Sequence, residues 1–470
     1  MDFLNRTREI QRLDRLTERK AAGLVAVWGR RRVGKTRMLV EWSQRKDGIY
    51  TVADQSSPNV QRQYFAETLS SRLVGFAETT YADWATLFRR LSRDAKGAHW
   101  RGPLIIDEFP YWVASSPELP SLLQRWIDEE ARNGGLLVII AGSSQQMMQG
   151  LVLDANAPLY GRALEAMAIE PIDPQWIQPA LGLADPVDAF RAYAIWGGIP
   201  RYWELAQPFG KALAEAVDTI ALDPQGPLHR EPDRLLLEEL PPAVALRPLL
   251  DAIGGGVHRL SEIAARVGQP ATSLARPLSR LCELGLVERE IPHGASEKSG
   301  KRTLYRIRDP FFRFWFRVVA PHRATLTAAS SASRRAIFHH HAQRLFAEAW
   351  EELCLWSANR GDRLRRAPFS TEGAYSARRW WHGNEPEWDV IATNHSAQQF
   401  IVGEAKWSET PFSRKEIETL AAALLRRPLP PGVNGEIDHV LFVPATEEGL
   451  KITHSGVSVI DAKTILEMNS

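Results

Sequence analysis

The stretch Leu24–Thr36, LVAVWGRRRVGKT, decides the fold of the first part of this chain. A short apolar strand leads into a loop that fits the pattern G-x-x-x-x-G-K-[ST], with Gly29, Gly34, Lys35 and Thr36 at its fixed positions. The glycines allow successive backbone N–H groups to turn inward around a phosphate, and the following helix adds its positive N-terminal end. The stretch therefore predicts a nucleoside triphosphate site formed by Gly29, Arg30, Arg31, Arg32, Val33, Gly34, Lys35, Thr36 and Arg37.

A second apolar run, residues 103–106, ends in two carboxylates, Asp107 and Glu108. An apolar run of this length is typical of a parallel strand that is buried on both faces. In P-loop proteins the loop lysine, here Lys35, reaches the β- and γ-phosphates, while Thr36 and Asp107 hold Mg²⁺. Glu108 is then placed to orient or deprotonate the attacking water, so the pattern predicts hydrolysis as well as binding.

Two later positions are candidates for contacts with the phosphates. Ser143 follows the apolar run 136–141, and it could sense the γ-phosphate because ligands of open parallel sheets lie beyond the carboxyl ends of the strands. Arg162 could reach the phosphates or serve a neighbouring subunit as an arginine finger. Its spacing fits a solvated loop arginine equally well.

Six segments, in this order, make the first part of the chain similar to the archaeal-type ATPase family, a branch of the AAA+/STAND-like P-loop ATPases. They are FLNRTRE (residues 3–9), GRRRVGKT (29–36), IIDEF (105–109), AGSS (141–144), PLYGR (158–162) and WGGIPRY (196–202). The resemblance implies an αβα nucleotide-binding core, a small helical lid and MgATP as the ligand.

Composition is that of an ordinary globular protein, with 470 residues, 44% hydrophobic and 24% charged. The net charge of +2 is too small to indicate nucleic-acid binding by the chain as a whole. Two cysteines, Cys282 and Cys354, cannot form a disulfide framework, which predicts a reducing, cytoplasmic location. A charged N-terminus and the lack of a long apolar run predict neither a signal peptide nor a membrane partner.

The segment after the predicted lid has the order helix, helix, helix, strand, strand. The helices are expected at 235–253, 261–267 and 272–287, and the strands at 286–290 and 302–308. This order favours a winged helix-turn-helix, which often sets its third helix in the DNA major groove. The predicted DNA contacts are Arg276 and Arg280 on that helix and Lys298, Lys301 and Arg302 on the wing.

A second interpretation of this segment stays open. Winged helices also serve as structural protein–protein modules. In addition, Pro277 lies inside the predicted third helix, where a proline removes a backbone hydrogen bond and favours a bend.

The C-terminal third carries a second chemical pattern, with Asp389 on one predicted strand and Glu404 and Lys406 on the next. Because side chains alternate along a strand, Glu404 and Lys406 share a face. Asp389 and Glu404 could then hold a divalent metal, while Lys406 steadies the attacking water or the developing charge on a phosphate. Carboxylate oxygens of this kind suit Mg²⁺ or Mn²⁺.

The residues around this pattern resemble the PD-(D/E)xK nuclease superfamily, and more closely the small domain that is commonly appended to archaeal-type ATPases. The resemblance is carried by WW (380–381), EWDVIA (387–392), GEAKW (403–407) and the linking YRIRDPFFRFW (305–315). It implies an upstream helical glutamate as a further metal ligand, for which Glu351 fits best and Glu348 second. An acid on a solvated helix face is the alternative.

Arginines just before the predicted strands favour a nucleic-acid track beside this site, because phosphate contacts give affinity without sequence choice. These residues are Arg360, Arg363, Arg365, Arg366, Arg378 and Arg379. The nuclease-like fold could also be retained for binding alone.

These patterns together predict an α/β protein with four parts. They are a P-loop αβα ATPase core with a parallel sheet (1–170), a helical lid (171–230), a winged helix (231–322) and a restriction-endonuclease-like α/β domain (323–470). The leading hypothesis is an ATP-regulated, metal-dependent nuclease that acts on DNA, with ATP and Mg²⁺ or Mn²⁺ as cofactors. A homo-oligomer follows if Arg162 acts in trans. The alternative is an ATP-switched DNA-binding or scaffold protein whose nuclease-like domain is catalytically silent.

Overall fold

The computed structural model describes residues 3–143, 145–152, 154–239, 246–298, 300, 302–364, 366–383, 385–394, 396, 398–448, 453–454 and 456–467. Two compact units divide the chain. The first, called here the N-terminal unit, contains residues up to 172 together with 199–201. The second, called the C-terminal unit, contains residues 173–198 and those from 202 onward.

A parallel sheet of five strands forms the centre of the N-terminal unit, with the order β2-β3-β4-β1-β5. The strands are β1 (Gly23–Trp28), β2 (Ile49–Val52), β3 (Leu104–Asp107), β4 (Leu137–Gly142) and β5 (Ala163–Ala168). All residues of β1, β3 and β4 are buried, as expected for apolar parallel strands covered on both faces. The predicted parallel-sheet core is therefore confirmed.

One helix precedes β1, and further helices lie between the successive strands of this sheet. They are α1 (Thr7–Glu18), α2 (Lys35–Arg45), α3 (Pro58–Ser70), α4 (Trp84–Gly97), α5 (Pro110–Ser115), α6 (Leu119–Trp126), α7 (Arg132–Gly134) and α8 (Gln145–Val152). An aromatic cluster that includes Phe65, Trp84 and Trp112 fills the core on one side of the sheet. The rigid sheet thus fixes the positions of the loops that follow β1, β3 and β4.

The first part of the C-terminal unit is helical. Its helices are α9 (Ile177–Leu181), α10 (Pro186–Trp196), α11 (Pro200–Ala206, with its first two residues grouped in the other unit), α12 (Leu213–Val217), α13 (Glu231–Glu239), α14 (Arg247–Gly254), α15 (Leu260–Val267) and α16 (Ala275–Glu283). An antiparallel hairpin follows, formed by β6 (Val287–Glu290) and β7 (Leu304–Ile307). The three helices before the hairpin give the element order that the sequence predicts.

Two of the predicted helices have wrong boundaries. The predicted helix 235–253 is divided between α13, which ends at Glu239, and α14, which begins at Arg247. The predicted helix 272–287 is a 3₁₀ turn, Ala271–Leu274, followed by α16. Pro277 consequently lies in the first turn of α16, where its missing N–H costs no helical hydrogen bond, so no bend is required.

A six-stranded mixed sheet ends the C-terminal unit, with the order β12-β13-β11-β10-β9-β8. Its strands are β8 (Tyr375–Trp380), β9 (Trp388–Asn394), β10 (Gln399–Ala405), β11 (Glu436–Phe442), β12 (Thr453–His454) and β13 (Val457–Ile460). The remaining helices are α17 (Pro310–Phe314), α18 (Ala320–Ala328), α19 (Ser331–Ala358), α20 (Gly361–Leu364), α21 (Arg414–Arg426) and α22 (Ala462–Leu466). The long helix α19 packs against β8, β9 and α10. Across the described residues, no helix has the length and apolar character required to cross a membrane.

Candidate functional sites

The loop between β1 and α2 requires glycine at two of its positions. Gly34 has a φ of 96°, which favours glycine, and a Cβ at Gly29 would lie 2.5 Å from the Ile169 carbonyl oxygen. Lys35 is buried, and its Nζ donates hydrogen bonds to the carbonyl oxygens of Gly29 (2.5 Å) and Arg30 (3.3 Å). The ammonium group is therefore held over the loop that precedes it.

The other predicted loop residues lie in the loop or in the first turn of α2: Arg30, Arg31, Arg32, Val33, Thr36 and Arg37. Arg31 donates from Nη2 to the Tyr111 hydroxyl at 2.8 Å. Thr36 and Arg37 are exposed.

Asp107, at the end of β3, is buried and held only by neutral donors among the described residues. Its Oδ2 accepts hydrogen bonds from the hydroxyls of Thr36 (2.8 Å) and Tyr50 (2.7 Å), and its Oδ1 accepts from the Glu108 backbone N–H (2.9 Å). Thr36 and Asp107, the two predicted Mg²⁺ ligands, are thus in direct contact through oxygen donors that fit Mg²⁺.

Tyr50 was not predicted from the sequence. It lies on β2, which pairs with β3 so that Tyr50 is level with Ile105. Burial, together with the neighbouring carboxylate of Asp107, raises the pKa of Tyr50, so the phenol keeps its proton and acts as a donor.

Glu108 and Ser143 meet at the ends of the neighbouring strands β3 and β4. The Glu108 Oε2 accepts hydrogen bonds from the Ser143 hydroxyl (2.8 Å) and from the Ser143 backbone N–H (3.2 Å). Glu108 has a φ of 52°, in the left-handed region that a non-glycine residue rarely occupies. Strain of this kind is concentrated at functional sites, which makes Glu108 a candidate for the reacting group.

Arg162 lies at the other end of the sheet from the phosphate loop. It precedes β5, which is parallel to β1, with Ala163 level with Leu24 and Ala168 level with Trp28. The six residues of β1 span about 17 Å, so the structure does not bring Arg162 to the phosphates bound by its own chain. Its Nε instead donates to Asp128 at 2.9 Å. A role in a neighbouring subunit stays a prediction.

The second candidate site lies where β9 and β10 pair. The antiparallel register sets Val390 opposite Gly403, so Asp389 and Glu404 are neighbours across the two strands. The Asp389 Oδ2 accepts a hydrogen bond from the Ala405 backbone N–H at 2.8 Å, and the Lys406 Nζ lies 2.5 Å from the Glu404 Oε1. Burial and the Glu404 carboxylate raise the pKa of Asp389. These three residues form one cluster.

The two candidate helical acids of α19, Glu351 and Glu348, differ in the charged groups that act on them. Burial raises the pKa of Glu351 to about 7, Arg379 opposes the shift, and the Asp389 carboxylate adds to it. Glu348 is instead paired with Arg317 (2.6 Å) and Arg344 (3.1 Å). Glu351 is therefore the helical acid whose pKa the Asp389 carboxylate influences.

Two arginines at this site have roles that the sequence did not reveal. Arg427, which follows α21, pairs with the Glu404 Oε2, donates to the Glu387 carbonyl oxygen at 2.6 Å and lies 5.1 Å from the Trp388 ring centre. Arg379, which the sequence predicts as part of a nucleic-acid track, is buried and lies 3.3 Å from the Glu351 carboxylate. Both oxygens of Glu404 and one side of Glu351 are thus paired with cations.

The donors of this second site fit a Mg²⁺ or Mn²⁺ ion through two carboxylates only. Within the described part of the chain, no group of three His, Cys, Asp or Glu residues is arranged to hold a metal. Mg²⁺ is commonly held by one or two carboxylates, with water and substrate phosphates completing its shell, and Asp389 and Glu404 meet that requirement. Glu404 would have to release at least one of its cationic partners.

The predicted DNA-binding residues are scattered over the C-terminal unit. Arg276, Lys298 and Arg302 are exposed, whereas Arg280 pairs with Glu283 at 3.2 Å. Arg366 donates to the Thr464 hydroxyl at 2.9 Å and is half-buried. Lys301 and Arg365 lie outside the described residues.

The loop of the β6–β7 hairpin packs on the C-terminal sheet. The His293 backbone N–H donates to the Arg379 carbonyl oxygen at 2.8 Å, and Glu297 pairs with Arg378 at 2.9 Å. His293 also lies 3.3 Å from the Thr393 hydroxyl. This side of the predicted wing is therefore occupied by protein, while α16 keeps Arg276 exposed.

A P-loop ATPase is defined by three features of this site: a glycine-containing loop after β1, a buried lysine at the start of α2, and two acids at the end of β3, which is separated from β1 by β4. Comparison with known proteins gives the same result and extends it. Residues 3–204 match the family described as an ATPase domain predominantly from Archaea, and residues 315–420 match a family of archaeal and bacterial proteins of unknown function. These two matches confirm the predicted resemblance to the archaeal-type ATPase family and to the domain commonly appended to it. The resemblance to PD-(D/E)xK nucleases stays a prediction.

Several individual proteins are similar to this chain. An uncharacterized protein of Methanocaldococcus jannaschii is 27% identical over 410 residues, which cover 87% of this chain and 88% of that protein. A Walker-type ATPase of Pyrococcus abyssi has the same fold with 20% identity and a TM-score of 0.50, over 67% of this chain and 97% of its own. The Aeropyrum pernix ORC2 protein, solved as ADPNP-ADP complexes, has 15% identity and a TM-score of 0.47, over 69% of this chain and 96% of its own.

Proposed function

We propose that the N-terminal unit hydrolyses ATP with Mg²⁺ held by Thr36 and Asp107 and with Glu108 as the group that activates water. The observation that supports this proposal is the contact between Thr36 and Asp107 beside Glu108. When bound, Mg²⁺ would neutralise charge that develops on the transferred phosphate. Lys35 would contribute a point charge to the β- and γ-phosphates, and the loop N–H groups would surround them.

Glu108 would accept a proton from water, and Ser143 would hold the carboxylate in place for that step. The hydroxyl and the N–H of Ser143 both donate to one oxygen of Glu108, which leaves the other oxygen for the water. A general base must lie within hydrogen-bond reach of the proton that it removes. Two hydrogen bonds from Ser143 hold the Glu108 carboxylate in one orientation, which keeps its other oxygen in place for the water.

We further propose that the C-terminal unit cleaves DNA at the cluster of Asp389, Glu404 and Lys406, under the control of ATP. The proposal is supported by the contact of Lys406 with Glu404 and by the position of Asp389 on the adjacent strand. A bound Mg²⁺ or Mn²⁺ would polarise the scissile phosphate and lower the pKa of a bound water. Lys406 would orient the attacking water or stabilise the developing negative charge.

A second candidate function is ATP-switched DNA binding without cleavage. It is favoured by the pairing of both Glu404 oxygens with Lys406 and Arg427, because a carboxylate that is already neutralised attracts a metal less strongly. In that case the C-terminal sheet would only dock nucleic acid.

One experiment separates the two functions. The purified full chain is incubated with labelled single- and double-stranded DNA and Mn²⁺, with and without ATP, and cleavage and binding are both measured. Cleavage that depends on Mn²⁺ supports the nuclease, whereas binding without cleavage at any metal concentration supports the scaffold. If the protein neither binds nor cleaves DNA, both assignments are wrong.

A further inference from the structure

The C-terminal unit contains a cavity of about 750 Å³ that neither candidate site uses. Its wall is formed by the turn before α13, by α13 and by α18. The lining residues are Pro224, His229, Arg230, Asp233, Arg234, Leu237, Arg323, Ala324 and Thr327. This volume lies within the range of ordinary ligand sites, about 300–1,000 Å³.

The single acid of the described lining is already neutralised. Asp233 pairs through its Oδ1 with Arg247 and through its Oδ2 with Arg323. Both guanidinium groups lie on the Trp315 ring, at 5.0 Å for Arg247 and 4.7 Å for Arg323, which fixes their position. Arg247 also pairs with Asp251 at 3.0 Å, so two carboxylates balance the two guanidinium groups here. Any excess positive charge of the cavity must therefore come from its other lining residues.

Two further arginines add charge at the mouth of the cavity. Arg230 and Arg234 are exposed, and no carboxylate among the described residues lies within ion-pair distance of them. The Arg234 backbone N–H donates to the Arg230 carbonyl oxygen at 3.1 Å, so the two side chains lie one helical turn apart on the same side. On the inner wall, the Arg323 Nε is buried and has no acceptor within the described chain. The cavity thus offers unused guanidinium donors and excess positive charge.

We propose that this cavity binds the phosphate groups of a nucleic-acid backbone. The proposal rests on the proposed action on DNA and locates a contact surface for it. Guanidinium groups recognise phosphate through paired hydrogen bonds, and charge alone makes such contacts independent of sequence. The exposed pair at the mouth suits an extended chain of phosphates that passes over the cavity, with one phosphate reaching Arg323.

The test replaces the exposed pair in the full chain, as Arg230→Ala with Arg234→Ala. Binding of labelled single- and double-stranded DNA is measured by fluorescence anisotropy, without divalent metal and over a range of salt concentrations. Loss of two phosphate contacts is expected to weaken binding about tenfold or more and to reduce the slope of log K against log salt by about 1.4 to 1.8.

A matched control removes the same charge at the same helical spacing elsewhere. Arg89 and Arg93 are exposed and one turn apart on α4. The double variant Arg89→Ala with Arg93→Ala is expected to bind DNA as the wild type does. Thermal unfolding of both double variants checks that the fold is kept.

Each result has a distinct meaning. DNA binding by the wild type that is unchanged in the Arg230/Arg234 double variant overturns this proposal and leaves the DNA proposal intact. No DNA binding by the wild type overturns both.

A further arm distinguishes nucleic acid from a free phosphate ligand. In a Lys35→Ala background, which is expected to lose ATP binding at the phosphate loop, the protein is titrated with ATP and with inorganic phosphate. Binding of either that depends on Arg230 and Arg234, without any effect of these residues on DNA, would overturn the assignment to a nucleic-acid backbone.

Discussion

In the N-terminal unit, Asp107 accepts hydrogen bonds from the hydroxyls of Thr36 and Tyr50, whereas in the C-terminal unit Glu404 is paired with the cations Lys406 and Arg427. Both carboxylates lie at or near the end of a buried strand, and both are buried. The two sites therefore differ in the charge of the groups that hold the acids, and much less in the acids themselves.

This difference predicts different responses to a divalent metal. Neutral hydroxyls hold Asp107 in place but leave its negative charge for Mg²⁺. Cationic partners compensate the charge of Glu404, so an incoming metal must compete with at least one of them. The first site can accept a metal without a change in its hydrogen bonds. At the second site, Glu404 must first release a cationic partner, and Arg427 is the partner that does not belong to the predicted triad.

The largest effect is expected for Glu108→Gln. The amide cannot accept the proton of the attacking water, so ATP turnover should fall by about 10²- to 10⁴-fold while ATP binding is kept. Turnover is measured by phosphate release and binding by titration with a labelled nucleotide. Glu118→Gln, an exposed position in the same unit, serves as the control. Equal turnover in wild type and Glu108→Gln would show that another group is the base.

The next largest effect is expected for Asp389→Asn and for Lys406→Ala. Each should abolish cleavage of DNA and leave ATP turnover nearly unchanged, because the two sites lie in different compact units. Lys415→Ala, on the exposed side of α21, controls for the loss of a lysine. Cleavage that survives both changes would point to a different site or to a contaminating enzyme.

The parts of these sites that lie close together in the chain could be predicted from the sequence. Residues 29–36 form one loop and the start of α2. Asp107 and Glu108 could be placed beside them from the rule that parallel strands end at a common edge. The proximity of Asp389, Glu404 and Lys406 could also be predicted, because two strands that follow each other closely in the chain commonly pair.

The parts that depend on strand order or on distant helices could not be predicted. Tyr50 reaches Asp107 across 57 residues because β2 is the neighbour of β3, and no pattern in the sequence states that order. Arg427 reaches Glu404 from the end of α21, 23 residues away. The position of Arg162 could not be predicted for the same reason. The parallel pairing of β5 with β1 decides which end of the sheet this arginine occupies.

The variant Arg427→Gln tests whether the cationic partners of Glu404 weaken metal binding at the C-terminal site. Removal of this cation should free one oxygen of Glu404 and raise the affinity of the C-terminal site for Mn²⁺ several-fold. Binding of Mn²⁺ is followed by electron paramagnetic resonance in the Asp107→Asn background, which suppresses the first site. Arg426→Gln, at the adjacent exposed position, should leave the affinity unchanged. Weaker binding in Arg427→Gln would mean that Arg427 supports the site and does not compete for it.

A smaller effect is expected for Tyr50→Phe. The variant loses one hydrogen bond to Asp107, worth about 1 kcal/mol, so the carboxylate should be held less firmly. The concentration of Mg²⁺ that gives half-maximal ATP turnover should rise about fivefold, while turnover at saturating Mg²⁺ changes little. Tyr64→Phe, which removes the hydroxyl of an exposed tyrosine in the same unit, is the matched control. A loss of turnover that saturating Mg²⁺ does not restore would contradict a role through Asp107.

The smallest effect is expected for Arg162→Ala in a single chain. Its ion pair with Asp128 is partly exposed, so the free energy of unfolding should fall by less than about 1 kcal/mol. ATP turnover at low protein concentration should be unchanged, because Arg162 lies at the end of the sheet opposite the phosphate loop. If the wild type gains turnover per chain as its concentration rises and Arg162→Ala does not, Arg162 completes the site of a neighbouring subunit. A reduced turnover of Arg162→Ala in a proven monomer would instead show that this distant end of the sheet affects catalysis within one chain.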